Sequence, residues 1–426
     1  MNSSIAKGTG GSRVVDRCQV CDHKELKPIL FAGYLPPVNT MPEVGSQPKE
    51  EGAYPAQLLL CPQCRLIQLG LVVDAEILFP SSYPYTSSTT RILRENFADL
   101  YQECRALFDL LPEHLVVDIG SNDGNLLSNF KDHHVVCGVT PEKIGEIAIA
   151  RGIPTILSYF GQPVVEEILS RHGKARLVTA TNVFAHMEDV HTVLGAIMDL
   201  LNEDGVFLTE SHYVLDLVET VQYDTIYHEH LRYYSLHSLK YLLERHGLEV
   251  FHVKPIPTHG GSIRVYAARP GKQPVRDSVA RQLAIEEQRL NDESLARFRQ
   301  AVQQSRLDLW ALVAQLRSQG KTIVGVSAPS RASTLISYLG FDEGILDAVV
   351  EIKGSHKIGK YIPGTLIPVV EEGLLFSSSQ PDYALLLAWH IADELIPKLR
   401  QLGFKNQFIV PLPTPRIVDL EGGATP

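Results

Sequence analysis

The run Leu115-Val116-Val117-Asp118-Ile119, followed at once by Gly120-Ser121-Asn122-Asp123-Gly124, limits the fold more than any other stretch of this 426-residue chain. Apolar residues around a single acid suit a strand buried on both faces, and glycines bracketing a short polar loop let the backbone pass close to a ligand. The next segment, Asn125 to Phe130, reads as helical, with first N–H groups that lack intrahelical partners. Val135 to Val139, Leu177 to Ala180 ending in Thr181-Asn182, and Gly205 to Glu210 read as further strands with helical patterns between them. This alternation predicts an α/β fold, a parallel doubly wound sheet with its ligand at the strand C-termini. The loop is not Gly-x-Gly-x-x-Gly and no phosphate-binding lysine follows, which argues against a dinucleotide or a P-loop nucleotide.

Four of the six cysteines fall into two Cys-x-x-Cys pairs, Cys18/Cys21 and Cys61/Cys64. Each pair brings two thiolates together from one tight turn, and two such turns complete a tetrahedral Zn2+ site with no open position, structural rather than catalytic. The 39 residues between the pairs contain Pro36-Pro37, Pro42, Pro48 and Pro55, so an irregular loop with short strands is expected there. Cys104 and Cys137 read as ordinary buried thiols.

Charged residues make up 21% and hydrophobic residues 44%, which is ordinary globular composition, and no apolar run approaches a membrane span. Net charge is −10, with no run of Lys and Arg to follow a phosphate backbone, so neither nucleic acid nor membrane is expected as a partner. Met1 to Ser12 lacks the apolar segment of a secretory signal and reads as a disordered leader, leaving the cytoplasm as the expected compartment.

The motif Asp118 to Gly124, Tyr227-His228-Glu229-His230, Tyr233-Tyr234-Ser235, His259-Gly260-Gly261-Ser262-Ile263-Arg264-Val265 and the four-cysteine lobe together resemble the sugar C-methyltransferases of deoxysugar biosynthesis. The resemblance runs from the first cysteine pair to Lys357-Ile358-Gly359-Lys360-Tyr361-Ile362-Pro363-Gly364. It implies a zinc-binding lobe over 1–80, a Rossmann-like class I methyltransferase domain over 81–273, a helical bridge over 274–318 and a smaller Rossmann-like α/β domain over 319–426. It also implies S-adenosylmethionine as cofactor and a nucleotide-linked 4-keto-6-deoxyhexose as substrate, with either a monomer or a homodimer as the assembly. Asp118, Gly120, Ser121, Asn122, Asp123, Gly124 and Asn182 would line the cofactor pocket. Where the family carries an acid after the second strand, this chain reads Thr140-Pro141-Glu142, so the ribose ligand is Thr140 or Glu142. In the first loop of the C-terminal domain the family's Ala-Pro-Ala-Lys-Gly is replaced by Ala328-Pro329-Ser330-Arg331-Ala332. Ser330, Arg331, Lys357, Lys360, Tyr361 and Arg264 are the substrate candidates.

Forming a carbon–carbon bond with a methyl sulfonium needs a carbon nucleophile, and a sugar C–H becomes removable only beside a ketone that can hold the charge as an enolate. A base and an oxyanion stabiliser are therefore required. His230 is the expected base, oriented by Glu229, with Tyr227 donating near the carbonyl and His186 stabilising the enolate. Tyr83 or Tyr85, in Ser82-Tyr83-Pro84-Tyr85-Thr86-Ser87-Ser88, would bring an aromatic contact over the site. C3 is the expected acceptor, and C5 is equally acidified by a 4-ketone. An O-methyltransferase, or a zinc-dependent binding factor with a decayed methyltransferase fold, are the competing readings.

Overall fold

The computed structural model describes residues 11–47, 50–79, 91–141, 143–418 and 424–425. Leu115–Ile119, buried at every position, lies inside a seven-stranded sheet. The strand order is Glu249–Ile256, Ser262–Ala268, Leu201–His212, Ala175–Thr181, Leu115–Ile119, Val135–Val139, Thr155–Ile156. The last five run parallel, while Ser262–Ala268 is antiparallel to both of its neighbours. Burial on both faces is what a parallel sheet demands of its strands and explains the near-continuous apolar runs. The chain winds one way from Leu115–Ile119 to Val135–Val139 and the other way to Ala175–Thr181. Such a reversal opens a crevice beyond the strand ends, here beside Asp118.

The helix expected over Asn125 to Phe130 is only a 3-10 turn, Leu127–Asn129. Side chains explain the difference: Ser128 Oγ (2.6 Å) and Asn129 Nδ2 (3.2 Å) both donate to the Asn125 carbonyl, competing with a helical ladder. The segment between the cysteine pairs also departs from expectation. It forms two regular strands, Lys27–Leu35 and Tyr54–Leu60, within an antiparallel sheet ordered Arg232–Tyr233, Ile67–Leu69, Tyr54–Leu60, Lys27–Leu35. Pro28 is tolerated because its strand is the sheet edge, and Pro36-Pro37 fall just past that strand's end. The strand at the opposite edge, Arg232–Tyr233, begins two residues after His230 and pairs with Gln68 and Ile67.

Two helices, Asp277–Arg289 and Asp292–Ser318, occupy the stretch expected to be helical, the second opened by a reciprocal cap between Asn291 and Ser294. They lead into a second seven-stranded sheet, ordered Val369–Glu371, Ala348–Glu351, Ile323–Val326, Tyr383–Leu386, Gln407–Val410, Arg416–Val418, Ala424–Thr425, with its first five strands parallel. No helix among the described residues is long and apolar enough to cross a membrane.

Arg264, expected at the substrate, is instead part of the frame. Its fully buried guanidinium donates to Glu210 (Nε to Oε1, 2.6 Å), to Asn96 Oδ1 (2.8 Å) and to Glu103, joining the helix Arg91–Leu107 to the sheet. Glu210 is fully buried, so burial raises its pKa while Arg264 pulls it back down. Removing one partner of such a pair leaves an uncompensated buried charge, at a cost of about 3–5 kcal/mol. Arg264→Met is therefore expected to lower the thermal midpoint sharply, and the double variant Arg264→Met/Glu210→Leu to recover much of that loss. Calorimetric unfolding of the two variants checks this.

Candidate active site

Residues 221–235 are buried throughout, yet apart from the 3-10 turn Tyr223–Thr225 and the strand Arg232–Tyr233 they have no regular structure. Buried backbone needs partners, and this segment finds them on both sides. Leu231 N donates to Ala185 O (3.1 Å), while Leu231 O accepts from Leu69 N (3.0 Å) in the N-terminal sheet. His228 Nε2 lies 3.2 Å from Pro55 O, so the first histidine of Tyr-His-Glu-His is tied to the N-terminal lobe.

His230 points into a group of aromatic rings. Its centroid lies 4.2 Å from Tyr227, 4.9 Å from His186 and 5.0 Å from His212. Nδ1 sits 2.9 Å from the Thr225 carbonyl. A carbonyl only accepts, so Nδ1 carries the proton and Nε2 is the basic nitrogen. Orientation of this ring therefore comes from Thr225. Glu229, expected to orient it, accepts a hydrogen bond from Asn39 Nδ2 at 2.7 Å. Burial holds the pKa of His230 and of His212 well below the usual imidazole value, and takes His186 down to about 4. His259, 5.4 Å from His212, is likewise lowered to about 4 by burial and by Arg331.

His212 and His259 were not singled out from sequence. A signal existed for His212, which ends the strand Leu201–His212 at the edge where a doubly wound sheet presents its ligand. His259 stood in a quoted motif, but its left-handed backbone (φ 58°) had no sequence signature.

The loop after Leu115–Ile119 has the form a cofactor requires. Gly120 and Gly124 adopt φ of +75° and +78°, and a Cβ at Gly120 would come within 2.9 Å of Val183. Asp118 accepts from Thr179 Oγ1 at 2.7 Å, and burial raises its carboxyl to about 7. Among the described residues Ser121 Oγ and Asn182 Oδ1 are buried without a hydrogen-bond partner, which suits an incoming polar ligand. Asp123, fully buried, is paired with Arg151 at 3.2 Å. Asn122 takes a left-handed conformation (φ 51°), and Thr140 is fully buried at the end of Val135–Val139. Glu142, Tyr83 and Tyr85 lie outside the described residues. Asn182 and His186 are four residues apart, so one short segment joins the loop to the imidazoles.

The expected substrate residues divide. Arg331 is a second correction: it is 6% exposed, and its Nε and Nη2 each reach an Asp224 carboxylate oxygen at 2.8 Å. Trp389 Nε1 donates to the same carboxylate (2.7 Å), and the Arg331 guanidinium lies over the Trp389 ring. A cation bound bidentately to a fully buried acid neutralises that acid and holds the C-terminal domain against the Tyr223–Thr225 turn. Ser330 Oγ donates to Asn39 Oδ1 (3.2 Å), and Lys357 Nζ donates to Ala328 O (2.5 Å). Lys360 is half-buried, and Tyr361 Oη accepts from Gly45 N at 3.2 Å.

In the N-terminal lobe, Cys18 and Cys64 Sγ are 3.4 Å apart, as are Cys21 and Cys61, and all four sulfurs lie within 4.8 Å of one another, buried. With Zn–S bonds of about 2.3 Å, a tetrahedral ion fits among them.

A doubly wound sheet with this glycine loop, a four-sulfur zinc lobe and a buried imidazole group defines a zinc-binding, S-adenosylmethionine-dependent methyltransferase. Family models match three consecutive parts of the chain: a zinc binding domain over 18–79, a methyltransferase domain over 90–253 and a C-methyltransferase C-terminal domain over 257–413. C-methyltransferase NovU from Streptomyces niveus is 34% identical over 419 residues, covering 96% of this chain and 98% of that protein. The chain belongs to the C-methyltransferase family. Among solved structures, the YcgJ protein of Bacillus subtilis is 16% identical over 42% of this chain and 100% of its own, with a TM-score of 0.33. Magnesium protoporphyrin IX methyltransferase from Synechocystis PCC 6803 is 14% identical over 41% of this chain and 82% of its own, with a TM-score of 0.32.

Two predictions follow from the site's chemistry. His186 and His259 fall from 6.5 to about 4 on burial, so the unfolded chain binds more protons than the folded one between those values. Their stabilising contribution is complete above pH 6.5 and is lost as the pH falls towards 4. Calorimetry across that window is expected to show a thermal midpoint that falls steadily with acidification. Separately, Cys61→Ser is expected to abolish stoichiometric zinc, measured by elemental mass spectrometry, and to expose the N-terminal lobe to proteolysis.

Proposed function

We propose that this enzyme methylates a carbon beside the ketone of a nucleotide-linked 4-keto-6-deoxyhexose, C3 in our assignment, by way of an enolate. The observation that carries the reading is His230: its Nδ1–H is held by the Thr225 carbonyl, and burial keeps Nε2 unprotonated, so a base is ready at neutral pH. S-adenosylmethionine supplies the electrophilic methyl group when bound in the Asp118–Gly124 loop. His230 Nε2 removes the C–H proton. Tyr227, in ring contact with His230, donates towards the ketone oxygen, and His186 contributes a neutral N–H to the same developing charge. Ser121 and Asn182, whose buried oxygens find no partner among the described residues, hold polar atoms of the cofactor. The turn from Lys357 to Tyr361, with Lys360 half-buried, is where we place the diphosphate. The relationship to a C-methyltransferase along nearly the whole chain supports a carbon acceptor. We place the enzyme in the cytoplasm, where Cys104 and Cys137 stay as free thiols and the four cysteines of the N-terminal lobe stay reduced to bind zinc.

His230→Asn is expected to lower turnover about 100- to 10,000-fold while S-adenosylmethionine affinity, read by calorimetry, stays near wild type. With wild-type enzyme in deuterium oxide, label is expected in recovered, unmethylated substrate at the carbon that would accept the methyl group, and NMR of the methylated product assigns that carbon as C3 or C5. A methyl group on oxygen, with no exchange, would overturn the reading.

A further inference from the structure

Glu229 is the one acid in the catalytic tetrapeptide, and the residue is 2% exposed. A buried carboxylate needs donors, and one of them belongs to another lobe: Asn39 Nδ2, at 2.7 Å. Asn39 is itself buried. It follows Pro36-Pro37 at the end of Lys27–Leu35, in a turn closed by Thr40 N to Pro37 O (3.2 Å). An amide offers a donor at one end and an acceptor at the other, so which end faces the acid depends on what holds the far side. The far side is held by the C-terminal domain, where Ser330 Oγ donates to Asn39 Oδ1. An ionised carboxylate only accepts, so the amide turns its N–H towards Glu229, and the Ser330 hydroxyl holds the amide oxygen on the far side.

We propose that Asn39 is a positioning residue for Glu229, and that Ser330, by holding the far end of the Asn39 amide, makes the placement of Glu229, and with it the backbone of the adjacent His230, depend on docking of the C-terminal domain. The proposal rests on the enolate reading above. Three parts of the chain meet at this contact: the N-terminal lobe gives Asn39, the central region Glu229, and the C-terminal domain Ser330. Lys357, whose ammonium donates to Ala328 O two residues before Ser330, acts electrostatically on Glu229 and on Glu351. Gly364 packs on Pro36, so a Cβ there would come within 3.1 Å of the proline ring, and the turn that carries Asn39 is held by the C-terminal domain at a second point.

The test uses full-length enzyme with S-adenosylmethionine and dTDP-4-keto-6-deoxyglucose as the probe. Asn39→Asp keeps the shape but sets an acceptor against the Glu229 carboxylate. It is expected to lower kcat and solvent deuterium exchange together, by about 10- to 100-fold, with KM and cofactor affinity close to wild type, and to lower the thermal midpoint at neutral pH, a loss that shrinks as the pH is lowered. Because a protonated aspartic acid donates again, the activity of Asn39→Asp relative to wild type is expected to rise as the pH is lowered. A residue that only packs would not produce that trend. Ser330→Ala is expected to lose less, since the amide is released rather than reversed. Unchanged kcat in Asn39→Asp, or a loss of activity that is independent of pH, overturns the positioning role alone. Wild-type enzyme that methylates oxygen without exchange overturns the enolate reading and this proposal with it.

Discussion

The ion pair between Asp224 and Arg331 is the contact on which the arrangement of the site depends. Asp224 is fully buried in the turn Tyr223–Thr225, where an unpaired carboxylate would be untenable, and Arg331 and Trp389 together satisfy it. The next residue, Thr225, presents the carbonyl that fixes the tautomer of His230. The charge pair and the imidazole orientation are therefore one residue apart in the chain. From the other direction Arg232–Tyr233 pairs into the N-terminal sheet, so the segment carrying His230 is anchored at both ends to lobes outside the cofactor domain. Neither anchor resembles catalytic machinery, yet together they set where Nε2 points.

Much of this was legible in the sequence wherever the determining interaction is local. Each Cys-x-x-Cys turn sets the approach of its two sulfurs within four residues, and Leu115 to Gly124 carries strand, acid and glycines in ten. Legibility failed where partners are distant. Arg264 follows two glycines and looked poised for a ligand, but Glu210, Glu103 and Asn96 are 54, 161 and 168 residues away. Arg331 stands where the family carries a lysine, and nothing nearby in sequence announces Asp224, 107 residues earlier. The strand Lys27–Leu35 was hidden for another reason: the proline content of its neighbourhood suggested a loop, whereas position at a sheet edge makes Pro28 acceptable.

The zinc lobe gains a role beyond its own stability from these contacts. Its sheet takes Arg232–Tyr233 as an edge strand, Pro55 accepts from His228, and Asn39 donates to Glu229. A lobe with so small a core holds a fixed shape more readily when a metal crosslinks its two turns. A structural ion far from the chemistry can thus govern the reaction through the rigidity of what it braces.

Burial of His230 poses a problem that the proposed chemistry resolves. The same desolvation that keeps the imidazole neutral opposes its taking a proton, since an imidazolium in a dry pocket beside Arg331 is disfavoured. Proton abstraction, however, creates two charges at once. The enolate oxygen gains a negative charge as His230 gains a positive one, and at low effective dielectric the attraction between them is far stronger than in water. Removing a proton without an adjacent ketone would leave the cation uncompensated. A weakly basic histidine in a dry site therefore favours carbon acids whose conjugate base forms beside it, and water exclusion becomes a source of selectivity as well as of rate.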